Sequence, residues 1–390
     1  MVCPVSPISE SALRDRSEGI EIRAVGQGPT LKQFVKFPFK INKDNPIWVP
    51  PLIVDRMDFF NKDKNPFYKR ADVELFMAFQ NGAPVGRIAA CINHDHNDFH
   101  QEKMGSFGFF ESVDDSAVAH ALFDTAAEWL RQRGQTRIMG PLNFSTNHEV
   151  GFLVEGYDLP AVVMMPYNPP YYLKLAESWG LTKAKDLVAF KIDSSPGDRI
   201  RRIAERVRKR HNVEIRNLNL KDFDAEINRI RLIYNQAWSK NWGFVPLQEE
   251  EFAHIAKDMK MIIDPDIAFI AEIDGRPVGF SLSLPNIYEA QIHIRDGRLF
   301  PTGIFKLLWT LKIKKSIRST RIITLGVIHE YQRRGIEAVF YIETYDRSVK
   351  NGYDRGEISW ILEDNEMMIK AAQAMGSEQY KKYRVLEKPL

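Results

Sequence analysis

An internal duplication limits the folds open to this chain more than any other feature. Four segments of the first half recur in the same order in the second half, at an offset of about 195 residues. One match could arise by chance, but four in the same order indicate a repeated structural unit. The matched pairs are 20–23 with 213–216, 45–50 with 241–246, 74–93 with 267–286, and Asn168 to Gly180 with Asn365 to Gly376.

Each repeat has the pattern of an α+β unit. The segments 74–93 and 267–286 both place a short Gly-containing turn before a Pro-Val-Gly strand, which is typical of a β-hairpin. The stretches 117–133 and 337–350 have the pattern of amphipathic helices, and each ends at a glycine-containing stop signal. The order in each half is strand, one or two helices, hairpin, strand, helix, strand, helix and final strands.

These patterns predict an α+β fold made of two tandem units, with mixed central sheets flanked by helices. We expect an N-terminal half at 1–197, a basic linker helix at 198–211 and a C-terminal half at 212–390.

Composition excludes several classes of protein. The 390 residues are 44% hydrophobic and 27% charged, as in ordinary globular proteins, and the net charge of +3 is too small to favour nucleic acid as a partner. Two cysteines, Cys3 and Cys91, do not make a disulfide framework. The sequence has no signal-peptide pattern and no stretch of about 20 apolar residues. We therefore expect a cytoplasmic protein, soluble or attached to the surface of the inner membrane.

A candidate phosphate site lies within residues 321–343, where a β-branched strand is followed by a basic turn and a helix. The predicted helix opens at Gln332 to Ile336, and the first N–H groups of a helix lack partners while its dipole favours an anion. Arg333 and Arg334 add positive charge, and Gly335 permits a close approach to the backbone.

This turn resembles the acyl-CoA-binding turn of the Gcn5-related N-acetyltransferase (GNAT) superfamily, whose pattern is Gln/Arg-x-x-Gly-x-Gly/Ala. Here the turn reads Gln332-Arg-Arg-Gly335-Ile-Glu337, so its last position departs from the pattern and places a like charge near phosphate. The resemblance implies acyl-CoA as the donor substrate and no metal. It implies that backbone groups of Leu325 and Val327 line the pantetheine arm. It also implies that the backbone N–H groups of residues 333–338, which include Ile336, face the pyrophosphate.

The resemblance also assigns roles near the C-terminus. Asn365 opens the last predicted helix, where the superfamily often has an Asn in contact with the cofactor; a helix N-cap is the alternative. Tyr380 and Tyr383 follow that helix, where some members keep a Tyr that protonates the leaving thiolate. A half-buried strand aromatic is the alternative for each.

The corresponding turn of the first half, 105–117, has no Arg and no Gln-x-x-Gly pattern. Asp114 and Asp115 stand at its helix start and would repel a pyrophosphate. The sequence therefore predicts a single CoA site, in the second half.

A long polar and aromatic loop at 140–171 predicts an acceptor site in the first half, because loops of this length in compact domains are commonly functional. An alkyl ammonium with a pKa near ~10 is only about 0.1% neutral at pH 7, so an amine nucleophile needs a base. The alternative is that these side chains cap the backbone of the loop. The candidates are His148, Glu149 and Tyr167 as catalytic residues and Asn143 and Asn168 as substrate-binding residues.

The cluster at 93–100 contains enough His and Asp to bind a metal, but its spacing matches no common zinc pattern. We expect a polar loop, lining the substrate entrance, and no metal.

Two basic segments bear on partners. The linker at 198–211 is rich in arginine and is expected to turn Ile200, Ile203, Ala204 and Val207 inward. The segment 299–318 is apolar and aromatic with interleaved lysines. Such a helix could bind an anionic membrane surface, or it could cover a long acyl chain, with Trp309 contacting the substrate. The alternative is a core-facing helix with a solvated lysine face.

The whole arrangement, including GPLNFSTNHE, PYNPPYY and LGVIHEYQRRGI, resembles a bacterial tandem-GNAT family that includes the bacterial ceramide synthases. The resemblance implies an acyl-CoA-dependent N-acyltransferase that transfers a long acyl chain to an amine, such as that of a sphingoid base. Three alternatives stay open: a small amine or amino acid as acceptor, an acyl carrier protein as donor, docked by the arginines of 198–211, and a non-catalytic acyl-CoA scaffold or sensor.

Overall fold

The computed structural model of the chain describes residues 19–310 and 316–390. Expectations that rest on Cys3 or on Lys312, Lys314 and Lys315 lie outside these ranges. None of the helices within them is long and apolar enough to cross a membrane.

The first half alternates strands and helices in the predicted order. Its strands are β1 (Ile20–Ala24), β2 (Ala71–Gln80), β3 (Ala83–Asn93), β4 (Met104–Ser112), β5 (Arg137–Gly140), β6 (Leu142–Asn143), β7 (Glu149–Val150), β8 (Phe152–Glu155) and β9 (Thr182–Ile192). Its helices are α1 (Pro29–Ile41), α2 (Ile53–Phe59), α3 (His94–His100), α4 (Ser116–Arg131) and α5 (Tyr171–Ser178), with a 3-10 turn at Pro66–Lys69.

The second half repeats this order after a connecting helix. Its helices are α6 (Asp198–Arg210), α7 (Phe223–Ala237), α8 (Glu249–Lys260), α9 (Tyr288–Gln291), α10 (Ile304–Leu308), α11 (Ile336–Lys350) and α12 (Glu366–Ala374). Its strands are β10 (Val213–Asn217), β11 (Ala268–Ile273), β12 (Arg276–Pro285), β13 (Ser319–Val327), β14 (Arg355–Leu362) and β15 (Glu378–Pro389). Short helical turns lie at Leu220–Asp222, Pro265–Ile267, Leu299–Gly303 and His329–Tyr331.

Both predicted hairpins are present, as β2–β3 and β11–β12. Their turns are Asn81-Gly82 and Asp274-Gly275, and all four of these residues have positive φ. Asn-Gly and Asp-Gly suit such turns because Gly, Asn and Asp tolerate the left-handed region best. The same turn chemistry therefore sets the register of corresponding hairpins in both repeats.

The two halves are joined by an exchange of their last strands. The main sheet runs in the order β1-β2-β3-β4-β5-β15-β9-β14-β13-β12-β11-β10. The last strand of the second half, β15, pairs with β5 of the first half, and the last strand of the first half, β9, pairs with β14 of the second. Since β9 and β15 also pair with each other, one continuous sheet passes through both repeats.

Side chains on the exchanged strands complete the cores of both halves. Leu386 of β15 is fully buried in the core cluster of the first half, among residues of α4 and α5. On β9, Val188 and Phe190 pack against Ile358 and Ile361 of the second half. Each half therefore depends on the other for part of its apolar core.

Three local predictions are wrong. The segment expected as a polar loop at 93–100 is mostly helix α3, capped by the Asn93 side chain, which accepts from the His96 N–H. The helix expected to open at Gln332 begins at Ile336, because Arg333 and Gly335 have positive φ. Ile203, expected to face inward, is 40% exposed.

The polar groups of α3 are used within the fold. Asp95 accepts from Arg70 at 2.7 Å, and His96 Nε2 lies 2.6 Å from Glu102 Oε1. No group of three or more metal-ligating side chains is found within residues 19–310 and 316–390.

Leu386→Ala should lower the free energy of unfolding by about 2–5 kcal/mol, because it leaves a cavity in a fully buried site. Denaturant titration should show one transition for probes in both halves, since β15 belongs to both. Glu378→Ala, at an exposed position of β15, is the control and should change little. Two separate transitions would contradict the shared core.

Candidate active site

A wedge opens between two parallel strands in each half. In the first half, β4 pairs with β5 only from Met104 to Ser106, and in the second half β13 pairs with β14 only from Ser319 to Ile322. Beyond these pairs the strands diverge. We name the spaces the first wedge (β4/β5) and the second wedge (β13/β14). Strand edges in such a wedge offer backbone N–H and C=O groups to a bound chain.

The first wedge is filled by the protein itself. The Asn143 side chain accepts a hydrogen bond from the Phe109 N–H at 2.7 Å. A Cβ on Gly108 would lie 2.0 Å from the Leu142 carbonyl oxygen, so only glycine permits this approach of β6 to β4. A pantetheine arm could not enter without displacing residues 142–143.

An inserted hairpin accounts for this difference between the wedges. In the second half, β14 continues past Ser359 and Trp360 while paired with β9. In the first half, two separate strands, β5 and β8, pair with β15 where the second half has the single strand β14. Residues 141–151 lie between β5 and β8. These residues form the small β6–β7 hairpin. We call residues 143–149 the hairpin loop.

The second wedge adjoins an apolar cavity of about 190 Å³. Helices α7 and α8 and strands β12 and β13 form its walls, with Ile230, Phe252, Met259, Leu282 and Ile323 among the lining residues. Two buried polar atoms in this wall have no partner among the described residues, Thr324 Oγ1 and Asn147 Nδ2. We call this space the apolar cavity. Its lining fits an alkyl chain with a polar group at one point.

A smaller cavity of about 110 Å³ lies in the first half and is polar. Two Arg–Glu pairs line it, Arg56 with Glu149 and Arg87 with Glu111. Burial raises the pKa of Glu111, although Arg87 and the Tyr172 hydroxyl oppose the shift. We call this space the polar cavity. Its carboxylates and guanidinium groups fit a ligand with ammonium or hydroxyl groups.

The hairpin loop borders both cavities. Asn143 and Glu149 line the polar cavity, whereas Thr146, Asn147 and His148 line the apolar cavity. The loop is held to the second half by hydrogen bonds, one of them from the Tyr234 hydroxyl to Asn147 Oδ1 at 2.7 Å and another from Thr146 to the Gly243 carbonyl. The loop predicted to contain the catalytic residues thus joins the two repeats.

His148 is held in a fixed orientation within this loop. Its Nδ1 lies 2.9 Å from Ser145 Oγ, and Phe59 and Phe67 meet its ring edge-to-face. Burial lowers the pKa of His148 to about 4, with the nearby Glu149 charge opposing and Arg56 adding to the shift. The imidazole is therefore neutral at pH 7 and can accept a hydrogen bond.

Glu149 stays ionised in spite of its surroundings. Burial alone would raise its pKa, but the Arg56 ion pair and the Asn143 Nδ2 hydrogen bond at 3.0 Å outweigh burial, and the pKa is lowered. A carboxylate with a lowered pKa is a weak base, so its geometry suits binding a cation more than removing a proton.

The two other candidates of this loop region differ in their freedom. The Tyr167 hydroxyl lines the polar cavity and accepts from Asn45 Nδ2 at 2.9 Å. Asn168 also borders the polar cavity, but its side chain bonds both the N–H and the carbonyl of Leu153, at 2.7 Å and 3.3 Å. Asn168 therefore holds β8 in place.

The basic turn after β13 has a defined internal structure. Gln332 Nε2 donates to the Val327 carbonyl at 2.9 Å, which ties the turn to the end of the strand. Arg334 donates to the Glu330 carbonyl at 3.0 Å and lies over the Tyr331 ring, while Arg333 is exposed. The turn ends at Gly335, which has a φ of +82° and caps α11.

The N–H groups at the start of α11 are only partly free. Ala338, predicted to donate to a pyrophosphate, instead donates to the Gly335 carbonyl at 3.0 Å. The Glu337 carboxyl is half-buried and accepts from its own N–H; burial raises its pKa, and this hydrogen bond only partly offsets the shift. Arg333 and Arg334 are exposed on this turn, whereas Ile336 is fully buried.

Helix α6 lies against this turn. A Cβ on Gly335 would lie 3.0 Å from Val207 Cγ2 of α6. Arg201 and Arg208 pair with Asp346 and Glu343 of α11, at 2.9 Å and 3.2 Å. The basic helix therefore lies beside the turn, and two of its arginines are held by carboxylates of α11.

A buried polar cluster near the second wedge was missed by the sequence analysis. Glu357 of β14 accepts from Ser359 and from Tyr380, and Arg321 of β13 donates to Ser359 Oγ at 2.8 Å. Burial and Glu357 raise the pKa of Tyr380 above its ordinary range. The only available signal was a charged residue inside each of two apolar strands. Tyr380 thus lies bound to a carboxylate, in its protonated form.

Three further candidates lie outside both cavities. Asn365 Oδ1 accepts from the Met368 N–H at 3.2 Å, so its side chain caps α12. Trp309 is 55% exposed and lines neither cavity. Leu325 lies within the unpaired edge of β13, between the wedge and the basic turn.

Gly108→Ala should destabilise the protein by about 1–3 kcal/mol, because the added methyl would clash with the Leu142 backbone that fills the first wedge. The free energy of unfolding measures this loss. Gly197→Ala is the matched control, since a Cβ there meets nothing within 4 Å. Equal stability of both variants would show that the first wedge is not tightly filled.

Comparison with known proteins identifies the relatives of this chain. No protein-family model matches it. It is 41% identical over 368 residues to a protein named bacterial ceramide synthase from Caulobacter vibrioides strain NA1000 / CB15N, an alignment that covers 92% of this chain and 95% of the relative. It is 38% identical over 367 residues to Protein YghO of Escherichia coli strain K12, covering 92% and 93%.

Solved structures share the fold at low sequence identity. A tandem GNAT protein from the clavulanic acid biosynthesis pathway matches with a TM-score of 0.55 and 11% identity, over 95% of this chain and 98% of that one. A GCN5-related N-acetyltransferase from Sphaerobacter thermophilus matches with a TM-score of 0.51 and 12% identity, over 95% and 96%. The predicted tandem-GNAT fold is confirmed. The chain belongs to the bacterial ceramide synthase family and is an acyltransferase of the tandem-GNAT fold.

Proposed function

We propose that this enzyme transfers a long acyl chain from acyl-CoA to the amine of a sphingoid base. The observation that carries the proposal is the pairing of an open second wedge with an apolar cavity beside it. The relative named ceramide synthase supports a sphingoid acceptor, because the alignment spans nearly all of both chains.

The donor lies in the second half under this proposal. The unpaired edge of β13 around Leu325 and Val327 offers backbone groups to the pantetheine arm. The turn Gln332–Ile336 and the charge of α6 attract the CoA phosphates. Asn365, which caps α12, contacts the cofactor under this proposal. The apolar cavity takes the acyl chain, because burying methylene groups away from water is favourable.

The acceptor approaches from the first half. The polar cavity takes its head group, with Glu149 and Asn143 facing the amine and Tyr167 and Asn168 at the opposite wall. His148 lies on the other side of the hairpin loop, at the apolar cavity, and would act only on an amine that reaches past the loop. A lipid acceptor would be drawn from a membrane surface.

The chemistry is a direct attack. The neutral amine adds to the thioester carbonyl, backbone N–H groups of β13 beyond Leu325 stabilise the oxyanion, and the CoA thiolate leaves as the carbonyl re-forms. Tyr380 is the proposed proton donor to the thiolate, and it must first leave Glu357, to which its hydroxyl is bound. The amine proton passes to a base at the hairpin loop or to water.

An acyl carrier protein as donor has less support. Two of the arginines proposed to dock it are used in ion pairs with α11. A small amine as acceptor remains the second candidate, because the polar cavity is small. Thiol release from carrier-bound and CoA-bound acyl groups compares the two donors directly.

Thiol release with sphinganine should be fastest with long-chain acyl-CoA. Ala256→Leu narrows the apolar cavity and should lower kcat/KM for the longest chains most, by about tenfold relative to acetyl-CoA or butyryl-CoA. Ala253→Leu is the matched control on the same helix, at an exposed position.

Two results would contradict this account. Equal chain-length profiles for both variants would place the acyl chain elsewhere. Binding of acyl-CoA without thiol release from any amine would contradict catalysis on this class of acceptor.

Glu337→Gln should tighten CoA binding several-fold at pH 8, because it removes a like charge beside the phosphates. The raised pKa of Glu337 means that protonation removes this charge as pH falls. Wild-type affinity should therefore rise more than that of the variant as pH falls from 8 toward the pKa of Glu337. Isothermal titration measures both affinities.

Asp114→Asn is the control for this experiment, since it removes one negative charge from an exposed position at the corresponding helix start of the first half. An unchanged CoA affinity in Glu337→Gln would locate the pyrophosphate away from this turn.

A further inference from the structure

The second half contains an insertion that the first half lacks. Residues 286–318 separate β12 from β13, whereas little more than α3 separates β3 from β4. This insertion packs on the first half. Arg295 donates to the carbonyl oxygens of Trp48 and Asn45, both at 2.7 Å, and Gln291 donates to that of Pro50 at 2.8 Å.

The insertion adjoins the polar cavity. Trp48, Val49 and Pro51 line that cavity, and so does Tyr288 of α9, at the start of the insertion. A surface that binds the insertion therefore lies next to the cavity proposed for the acceptor head group.

Three large aromatic side chains are exposed within ten residues of the insertion. Phe300 is 67% exposed, Phe305 is 72% exposed and Trp309 is 55% exposed. Phe305 and Trp309 are four residues apart on a helical stretch, so they lie on the same face. Single exposed apolar residues are common on soluble proteins, but three aromatics within ten residues indicate an interaction surface.

The charge of this segment identifies the partner. Residues 295–315 contain six basic residues and one acidic residue, a net charge of +5 in a chain whose total is +3. Arg298 and Lys306 form no ion pair with another described residue. Exposed aromatics interleaved with lysines suit the interface of an anionic bilayer, where the rings enter the acyl boundary and the amines meet the phosphates.

We propose that the insertion docks the enzyme on an anionic lipid bilayer, with Phe300, Phe305 and Trp309 buried in the interface and Lys306 on the lipid phosphates. The proposal deepens the proposed function, because a lipid acceptor could then enter the polar cavity from the membrane. The binding itself requires no acyl transfer.

Co-sedimentation with vesicles tests the docking without any substrate. The full-length protein should bind phosphatidylglycerol/phosphatidylcholine vesicles, bind pure phosphatidylcholine weakly, and lose affinity as salt rises. The double variant Phe300→Ser/Phe305→Ser should bind the anionic vesicles at least about tenfold more weakly. The control variant Leu232→Ser/Met261→Ser removes equally exposed apolar side chains elsewhere and should bind like wild type.

Activity provides the second measurement. The Phe300→Ser/Phe305→Ser variant should lose turnover of sphinganine presented in vesicles while keeping turnover of a water-soluble short-chain amino alcohol. Vesicle binding without any acylation would support the docking and contradict the proposed function alone.

Three results would overturn the docking. Wild-type protein could fail to bind anionic vesicles, or the double variant could bind them as well as wild type. Alternatively, gel filtration could show that wild-type protein and the control variant form a dimer and that the double variant is a monomer. This face would then be a contact between two copies of the chain.

Discussion

The exchange of β9 and β15 between the repeats is the interaction on which the rest of the structure depends. Each strand completes the sheet of the other half, and Leu386 and Phe190 carry apolar core contacts across the boundary. Because the exchange joins both halves in one continuous sheet, the β6–β7 hairpin of the first half reaches helices α7 and α8 of the second half. The hairpin loop can then border both cavities.

The two repeats keep one fold but differ in what their wedges hold. In the first, Gly108 lets Leu142 and Asn143 occupy the space between β4 and β5. In the second, β14 continues without an inserted hairpin, and the space between β13 and β14 adjoins an apolar cavity. One repeat therefore contains a polar cavity with two Arg–Glu pairs, and the other contains an apolar cavity. This difference between the repeats supports the proposal of one donor site per chain.

Much of the fold could be predicted from the sequence because its signals are local. The Asn81-Gly82 and Asp274-Gly275 turns mark corresponding hairpins, and the periodicity of α4 and α11 marks the helices. The strand exchange could not be predicted, since pairing between β15 and β5 joins residues about 250 positions apart. The predicted start of α11 was wrong because Arg333 has a positive φ, and an arginine gives no sequence signal for that conformation. The Arg321–Glu357 cluster was missed because a charge inside a strand does not reveal its partner.

A crystal structure with a non-hydrolysable thioether analogue of long-chain acyl-CoA tests the central claim most directly. The account predicts pantetheine density between β13 and β14, the alkyl chain in the apolar cavity, and residues 142–143 still seated between β4 and β5. Analogue density in the first wedge, or an alkyl chain outside the apolar cavity, would contradict it.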